Sequence, residues 1–363
     1  MPRPADTPDS VPPKTVLVTG GCGFIGSALV RLLIHHTPHR VVNLDALTYA
    51  GSPSNVEDVA SDRRYAFVEG DVTDERMLDA TFGTYGPDAV VHLAAETHVD
   101  RSIDGPAAFV RTNVLGTFEL LEAARRHLRT RTPFERQAFR FVHVSTDEVF
   151  GSLGATGRFG RDTPYDPRSP YSASKAGSDH LARAAHHTFG LPVIVTNCSN
   201  NYGPYQFPEK LVPHTVLRAL HGLELPVYGD GRNVRDWLHV DDHARGLTLA
   251  LERGSPGSTY LFGADQERTT LDVVEAICGV LDEVRPAAAP HARLIAFVED
   301  RPGHDFRYAI DADGARRELG WNRRTTFDEG IRETVAWYLE HLEWCERRAG
   351  ARHGLERLGT LGT

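Results

Sequence analysis

The sequence predicts an α/β fold built on a doubly wound parallel sheet, with a smaller lobe towards the C-terminus. From residue 14 onwards, short apolar runs alternate with longer amphipathic stretches, the pattern of strand–helix–strand units whose sheet is buried on both faces. The first apolar run leads directly into a glycine-rich turn and then a helix, which makes the predicted fold Rossmann-like. The 363 residues carry a formal net charge of −9, so neither nucleic acid nor an anionic membrane is an expected partner.

Predicted strands and helices alternate along the first 200 residues. The predicted strands are Thr15–Thr19, Val41–Leu44, Tyr65–Glu69, Asp88–Leu93, Arg140–Ser145 and Pro192–Asn197. The predicted helices between them are Phe24–His35, Thr73–Phe82, Ala107–Leu128 and Tyr171–Phe189. Prolines then interrupt the pattern, and helical periodicity returns at Asp241–Leu251, Leu271–Leu281 and Phe327–Leu342.

The chain divides into four predicted parts. Residues 1–13 are a disordered proline-rich leader and residues 14–200 a dinucleotide-binding domain. Residues 201–348 are mainly a substrate-binding lobe, with some elements returning to the first domain, and residues 349–363 are a frayed tail. No apolar run approaches the roughly 18 residues of a membrane span. The four cysteines lie far apart and the histidines lack ligand spacing, which favours a reducing cytoplasm and no metal.

A glycine-rich turn predicts the cofactor. Gly20, Gly23 and Gly26 form a GxxGxxG sequence between the first strand and the first helix, where the backbone can approach a pyrophosphate and the helix N-terminus attracts it. Asp45 ends the second strand about 20 residues later, where a carboxylate binds ribose hydroxyls and repels a 2'-phosphate. Ala46, which follows, offers no cation for that phosphate. NAD is therefore predicted rather than NADP, a tight turn without a ligand being the alternative.

Two further motifs predict acid–base chemistry. Tyr171 and Lys175 are one helical turn apart and share a face, so the ammonium is expected to lower the pKa of the tyrosine and make it a base. Asp147 and Glu148 follow Thr146 at the carboxyl end of a predicted strand, where open α/β sheets bind ligands. Adjacent carboxyls there predict the acid and the base of an elimination. Taken alone, the Tyr171–Lys175 pair also fits an ordinary core tyrosine beside a solvated lysine, and the Asp147–Glu148 pair also fits a charged loop.

Together these residues resemble a known group of enzymes. The turn and the Tyr171–Lys175 pair resemble the extended branch of the short-chain dehydrogenase/reductase superfamily, and eight stretches between Val18 and Asp311 resemble the dTDP-glucose 4,6-dehydratase family. They read VTGGCGFIGS, LDALTYAG, HLAAETHVDRSI, STDEVFG, SPYSASKAGSDH, NCSNNYGPYQFPEKLVP, YGDGRNVRDWLHVDDHARG and DRPGHDFRYAID. The Thr-Asp-Glu stretch discriminates, since 4-epimerases and decarboxylases of this branch usually lack the carboxylate pair. The resemblance implies a Rossmann fold, NAD and dTDP-glucose.

The resemblance also implies roles for individual residues. Tyr171 would take the 4-hydroxyl proton, Glu148 would take the C5 proton, and Asp147 would protonate the departing C6 hydroxyl. Thr146 would hydrogen-bond the 4-oxygen, while Lys175 would hold the nicotinamide ribose. The positions implied for NAD are Gly20, Gly23, Phe24, Ile25, Gly26, Asp45, Leu47, Thr48, Asp71, Val72, Leu93, Ala94, Ala95, Thr112, Tyr171, Lys175 and Asn201. Those implied for the nucleotide sugar are Thr97, Thr146, Asn200, Lys210, Arg235, Arg301 and His304.

Several points stay open at this level. Arg235 is expected to clamp the diphosphate, with a surface ion pair to Asp236 or Asp230 as the alternative. Leu261 stands where the family usually has an Asn that touches the nucleotide, and the stretch after Gly151 is shorter than in many relatives. The same dehydration of UDP-glucose, a nucleotide-sugar 4-epimerase and a non-catalytic NAD-binding scaffold are the alternative functions. The family implies a homodimer formed through the helices predicted at 107–128 and 171–189.

Overall fold

A computed structural model describes residues 12–300 and 303–349. Seven parallel strands form the central sheet in the order β10-β6-β5-β4-β1-β2-β3, which confirms the predicted fold class. These strands are β1 (Thr15–Thr19), β2 (Arg40–Asp45), β3 (Tyr65–Glu69), β4 (Ala89–His92), β5 (Arg140–Thr146), β6 (Val193–Cys198) and β10 (Thr259–Phe262). Two small sheets in the order β11-β9-β7 and β12-β8 use β7 (Asn200–Tyr202), β8 (Leu225–Tyr228), β9 (Val234–His239), β11 (Glu267–Thr269) and β12 (Ile295–Val298).

Helices cover both faces of the central sheet. The helices that precede β5 in the chain are α1 (Phe24–His36), α2 (Glu75–Tyr85), α3 (Val99–Asp104), α4 (Pro106–Phe109), α5 (Thr117–Arg129) and α6 (Pro133–Ala138). Those that follow are α7 (Pro170–Phe189), α8 (Leu211–Leu220), α9 (Val240–Arg253), α10 (Thr270–Val284), α11 (Asp313–Leu319), α12 (Phe327–Glu340) and α13 (Leu342–Ala349). None of the helices in the described part of the chain is long and apolar enough to cross a membrane.

Three apolar cores hold these layers. Leu29 and Leu247, from α1 and α9, pack on one face of the central sheet, while Leu78 and Leu120, from α2 and α5, pack on the other. Both faces of a parallel sheet must be covered in this way because its strands are apolar on both sides. A third core around Ile277 belongs to the small sheets and to helices α8, α10 and α12.

The helix predicted at 107–128 is the main departure from the sequence-based elements. The chain is helical there, but a π-helical stretch, Val110–Gly116, separates α4 from α5. Such wide turns are often found at functional sites. Asn113 within it is fully buried, and its amide makes hydrogen bonds with the backbone N–H and carbonyl of Glu96 at 2.9 and 3.0 Å and with Ser174 Oγ at 2.9 Å. The π-helical stretch therefore connects the loop after β4 to helix α7.

The later part of the chain contributes to both halves. β10 adds the seventh strand to the central sheet and α9 packs against α1. In α13, Trp344 Nε1 donates to Asn55 Oδ1 at 3.1 Å, so this helix contacts the segment after β2. Most of the predicted leader 1–13 and nearly all of the predicted tail 349–363 lie outside the described residues.

Candidate active site

The carboxyl ends of β1, β2, β4, β5 and β6 meet at a single cleft of about 320 Å³. Ligands of open α/β sheets bind at this edge, where the strand order reverses. Predicted residues that line the cleft are Gly20, Gly23, Phe24, Ile25, Gly26, Asp45, Thr48, Asp71, Val72, Leu93, Ala94, Ala95, Thr97, Thr112, Thr146, Asp147, Glu148, Tyr171, Lys175, Asn200, Asn201 and Lys210. The structure therefore brings together most of the residues that the sequence singled out.

At one end of the cleft the glycine-rich turn leaves no room for side chains. Gly20 has φ +73°, and a Cβ there would lie 2.7 Å from Ala94 N. A Cβ on Gly26 would lie 2.1 Å from the Gly20 carbonyl oxygen. Gly23 caps α1 with no side-chain hydrogen bond, which leaves the first N–H groups of the helix available to a ligand. This bare backbone fits a pyrophosphate.

Asp45 at the end of β2 is buried and held by the backbone. Its Oδ2 accepts a hydrogen bond from Cys22 N at 2.9 Å, and its Oδ1 accepts one from Leu47 N at 2.8 Å. Burial raises the pKa of Asp45, and these two N–H groups oppose that shift. Each carboxylate oxygen can accept a second hydrogen bond, so the fixed carboxylate fits ribose hydroxyls. Together with the glycine-rich turn, this donor and acceptor set fits NAD.

At the other end of the cleft, β5 ends in a cluster of acid–base groups. Thr146 Oγ1 donates to Asp147 Oδ1 at 3.3 Å and accepts from Glu148 N at 3.2 Å. Strand β6 fixes the strand end, because Asn197 Nδ2 donates to the Thr146 carbonyl at 2.9 Å. Thr146 therefore contacts both carboxyl-bearing residues with which the resemblance associates the elimination, and Tyr171 lines the same cleft.

Asp147 has the properties of an acid rather than a carboxylate. It is 2% exposed, and its Oδ2 is a buried oxygen with no hydrogen-bond partner in the described part of the chain. Burial and the neighbouring Glu148 raise the pKa of Asp147 well above its ordinary value, while the guanidinium of Arg235 opposes the shift. A carboxyl in such a site holds its proton. Glu148 is half-buried and more open to the cleft.

The expectation that Lys175 lowers the pKa of Tyr171 is wrong for the chain by itself. Burial and the carboxylate of Glu148 raise the pKa of Tyr171 well above its ordinary value. The ammonium of Lys175 is directed at β5, where its Nζ donates to the Val144 carbonyl at 2.8 Å. The shared helix face of Tyr171 and Lys175 was correctly predicted, but the hydrogen-bond partner of the Lys175 ammonium was not.

Three of the predicted binding residues that the structure describes do not line the cleft. Leu47 has φ +50° and packs its side chain against the core, so its contribution is the N–H that holds Asp45. Arg235 is buried, with Nη2 donating to the Asp305 carbonyl at 2.9 Å and Cζ 4.1 Å from the ring centroid of Tyr308. His304 pairs with Asp300, Nδ1 to Oδ1, at 2.6 Å, outside the lining. Arg301 lies outside the described residues.

Leu261, the departure from the family pattern, lies in β10 and is 3% exposed. Its side chain belongs to an apolar cluster with Phe150, Phe159 and Ile310 rather than to the lining of the cleft. Backbone hydrogen bonds between Phe159 and Ala309, and between Asp311 and Phe159, hold the stretch after Gly151 over this cluster. The leucine therefore has a packing role in this chain.

Sequence reasoning missed a set of side chains that join three cleft-lining segments, Tyr49, Arg101, Phe207 and Glu209, here called the loop cluster. Arg101 Nη2 donates to Glu209 Oε2 at 2.9 Å, and its Cζ lies 4.0 Å from the ring centroid of Tyr49. Tyr49 and Phe207 meet edge to face at 5.5 Å. These residues come from three separate parts of the chain, so no spacing rule could have found them.

Comparisons with known proteins agree on one family. Residues 17–334 match the family described as GDP-mannose 4,6 dehydratase. The dTDP-glucose 4,6-dehydratase of Neisseria meningitidis is 53% identical over 352 residues, covering 96% of this chain and 99% of the relative. A solved dTDP-glucose 4,6-dehydratase of Streptomyces venezuelae with NAD bound is 45% identical, with a TM-score of 0.84, and covers 92% of this chain and 99% of its own.

Nucleotide-sugar epimerases share the fold at lower similarity. The UDP-glucose 4-epimerase of Thermus thermophilus, solved with NAD, is 30% identical, with a TM-score of 0.79, and covers 90% of this chain and 99% of its own. The higher identity lies with the dehydratases, in agreement with the carboxyl pair at the end of β5.

Proposed function

The chain belongs to the dTDP-glucose 4,6-dehydratase family, and on that premise we propose that it converts dTDP-glucose into dTDP-4-keto-6-deoxyglucose with loss of one water. One observation carries the proposal: Asp147, Glu148 and Tyr171 line the same cleft as a glycine-rich turn that fits NAD. The enzyme is an NAD-dependent hydro-lyase. The glycine-rich turn and Asp45 would hold NAD, which would supply the hydride chemistry at C4 and C6 of the sugar with no net redox change over a turnover.

Tyr171 is the proposed base for the 4-hydroxyl. Its side chain and that of Thr146 line the same cleft, so both oxygens are available to the 4-oxygen of a sugar placed at the end of β5. The raised pKa of Tyr171 means that the phenolate must be favoured by a positive charge in the loaded cleft. Lys175 Nζ, held by the Val144 carbonyl at 2.8 Å, supplies a fixed ammonium from the same helix.

Glu148 and Asp147 divide the elimination between them. Once C4 is a ketone, the C5 proton is acidic, and Glu148 removes it as a carboxylate. Asp147 donates its proton to the C6 oxygen, so that the C6–O bond breaks and water leaves. The elimination leaves a C5–C6 double bond conjugated to the ketone. With the cofactor supplying the hydride chemistry at C6, Glu148 returns a proton to C5, which completes the 4-keto-6-deoxy sugar.

A direct assay tests this function. Purified protein is incubated with dTDP-glucose without added NAD, and the product is examined by mass and by absorbance in alkali. We expect the loss of one water and a 4-keto chromophore. A C4 epimer of unchanged mass would instead establish an epimerase, while turnover of UDP-glucose alone would change the substrate. No reaction after NAD is added would leave the scaffold alternative.

We propose further that residues 14–200 hold the cofactor and residues 201–348 mainly recognise the nucleotide sugar. The roles implied above for the cleft-lining residues are part of this proposal. Arg235 is proposed to act close to the reacting end, since its charge acts on Asp147. Arg235→Lys keeps the charge but loses the planar fork. We expect it to raise the KM for dTDP-glucose and to change the affinity for NAD much less.

We also propose that the protein is a cytoplasmic homodimer. Val110, Leu115 and Phe118, in the π-helical stretch and α5, are exposed apolar residues, and Phe189 at the end of α7 is exposed beside Arg125. Such a patch on two neighbouring helices is typical of an interface. Four free, buried cysteines suit a reducing compartment. Light scattering that gives a monomer at micromolar concentration would contradict the dimer, and cell fractionation tests the location.

A further inference from the structure

Asp179 is a buried carboxylate that the proposed reaction does not use. It lies in α7, one turn beyond Lys175 and two turns beyond Tyr171, and it is 0% exposed. An anion at this depth is costly unless it is paired and hydrogen-bonded. Its presence on the face of the helix that carries both reactive side chains needs a physical reason.

Three neutral donors hold this carboxylate. Asp179 Oδ1 accepts a hydrogen bond from His143 Nε2 at 3.0 Å, while Oδ2 accepts from Ser145 Oγ at 2.9 Å and from Tyr165 OH at 2.7 Å. Burial lowers the pKa of His143 more than the carboxylate raises it, so the imidazole is neutral and does not cancel the charge. Arg183 Nη2 donates to the same Tyr165 OH at 2.9 Å.

Lys175 is 5% exposed and lies one helical turn before Asp179 on the same face of α7, so the two opposite charges are neighbours inside the protein. Burial lowers the pKa of the Lys175 ammonium, and Asp179 opposes that shift. Other titratable groups beside the lysine are neutral: burial lowers the pKa of His92 in β4 and of His143 in β5, and raises the pKa of the Cys198 thiol in β6 and of the Tyr171 phenol in α7. Asp179 is the anion among them. Burial by itself would raise the pKa of Asp179, but the hydrogen bond from His143 and the charge of Lys175 hold it below its ordinary value.

The same carboxylate joins two catalytic segments. Ser145 precedes Thr146 directly, and Lys175 Nζ bonds the carbonyl of Val144, the residue before Ser145. Helix α7 is therefore attached to two consecutive residues of β5, immediately before the strand ends in Thr146 and Asp147.

We propose that Asp179 is a positioning residue: it keeps the Lys175 ammonium charged inside the protein and fixes α7 against the strand end that carries the catalytic threonine and carboxyls. Only the expected effect on activity rests on the proposed function. The charge state of Lys175 can be measured without any turnover.

The composition of the chain makes that measurement simple. Only three of its 40 Lys and Arg residues are lysines, Lys14, Lys175 and Lys210, so protein labelled with [6-13C]lysine gives three side-chain NMR signals. A Lys14→Arg variant assigns the signal outside the cleft, and the NAD-induced changes separate the other two. The carbon shift of each signal reports directly on protonation of the adjacent amine.

In the wild type we expect Lys175 to be charged at pH 7, and in Asp179→Asn we expect its titration midpoint to fall by about 1–3 pH units, the usual effect of removing a close opposite charge. Tyr165→Phe is the matched control, because it removes one hydrogen bond from the same carboxylate and leaves the charge, so Lys175 should titrate as in the wild type. A neutral Lys175 at pH 7 in the wild type, or an unchanged midpoint in a folded Asp179→Asn, would overturn the proposal. The wild-type titration decides even where the variant fails to fold.

Activity gives the second readout. In Asp179→Asn the loss of kcat at high pH should begin at lower pH than in the wild type and be regained on acidification, with a smaller change in the KM for dTDP-glucose. A uniform fall in kcat at every pH would point to structural damage and contradict the inference. If the wild type makes no dehydrated product, the proposed function fails, while the lysine titration still tests Asp179.

Discussion

The two ends of the cleft are built differently, one mainly from backbone atoms and the other from buried side chains. The glycine-rich end is backbone: Gly20 and Gly26 leave no space for a Cβ, and even Asp45 is held by two main-chain N–H groups. The catalytic end consists of buried side chains whose charges act on one another, with Asp147 and Tyr171 both shifted by burial and by Glu148. We therefore expect the glycine-rich end to be sensitive to added side-chain volume, and the catalytic end to be sensitive to changes of charge.

The largest expected effects come from single-atom changes at the catalytic end. Glu148→Gln removes the base for C5, and we expect the dehydration rate to fall by about 10²–10⁴, the usual contribution of a positioned base. Asp147→Asn removes the acid for the C6 oxygen and should slow water loss comparably. The measurement is dehydration in D2O, with recovered substrate examined for deuterium.

The two variants should differ in that exchange. Asp147→Asn keeps Glu148, so deuterium should still enter C5 of recovered dTDP-glucose while dehydrated product falls. Glu148→Gln should lose both exchange and product. Equal exchange in the two variants would mean that the acid and base roles are not divided as the geometry suggests. Bound NAD should be unchanged in both, since neither substitution alters the glycine-rich end.

Added volume, rather than altered charge, should damage the glycine-rich end. A Cβ at position 26 would lie 2.1 Å from the Gly20 carbonyl and 2.8 Å from Gly21 Cα, and both are backbone atoms that cannot move aside. We expect Gly26→Ala to cost about 1–3 kcal/mol, which corresponds to NAD affinity lower by roughly 5- to 150-fold. NAD retained after gel filtration and titration calorimetry measure the change.

Gly279→Ala is the matched control for that substitution. Gly279 lies within α10, and a Cβ there meets nothing within 4 Å. Alanine favours an exposed helix interior by roughly 0.5–1 kcal/mol over glycine, so this variant should melt at the same or a higher temperature and keep its NAD. If both variants lost NAD equally, crowding at the turn would not be the cause.

The contrast between the ends also explains what the sequence could predict. Gly20, Gly23, Gly26 and Asp45 were found because backbone recognition imposes fixed spacing along one strand–turn–helix unit. The hydrogen-bond partners and pKa shifts of the catalytic groups could not be predicted in this way, because the pKa shift of Tyr171 depends on burial by segments distant in sequence. Helix α7 was predicted almost to the residue, yet its lysine bonds a carbonyl of β5.

The small departures in the fold have the same origin. The π-helical stretch Val110–Gly116 keeps a helical pattern in sequence, and tertiary hydrogen bonds of Asn113 accompany the wider turn. Arg235 was expected in the cleft because a guanidinium suits a diphosphate, but its fork is satisfied by backbone carbonyls near Phe306 and Asp305. Long-range contacts of this type have no signature in local sequence.

The pH dependence of the reaction tests the charge of the catalytic end. Because burial and Glu148 raise the pKa of Asp147, its acid form survives to higher pH than an ordinary carboxyl and is lost as pH rises through that pKa. The rate of water loss should therefore fall up to tenfold per pH unit above it. Asp147→Asn should abolish the decline that belongs to Asp147, leaving a slow rate whose remaining alkaline decline is the one assigned above to Lys175. A wild-type profile with no decline at alkaline pH would contradict a protonated Asp147.

The smallest expected effect belongs to the loop cluster of Tyr49, Arg101, Phe207 and Glu209, which joins the segments around the cleft. Arg101 is partly exposed, so its ion pair with Glu209 and its stacking on Tyr49 should each contribute roughly 0.5–1 kcal/mol. Arg101→Gln removes both contacts while keeping a polar side chain of similar reach. We expect NAD to dissociate about 2- to 10-fold faster, with kcat for prebound enzyme changed much less.

Arg332→Gln separates this effect from a general loss of surface charge. Arg332 forms an exposed ion pair with Glu283 between α12 and α10, in the lobe that lacks the glycine-rich turn, so its removal should leave NAD dissociation unchanged. High salt should speed dissociation from the wild type and leave Arg101→Gln nearly unaffected, because only the wild type has the ion pair to screen. If Arg101→Gln releases NAD at the wild-type rate, retention depends on the glycine-rich end alone, and the loops around the cleft contribute shape without affinity.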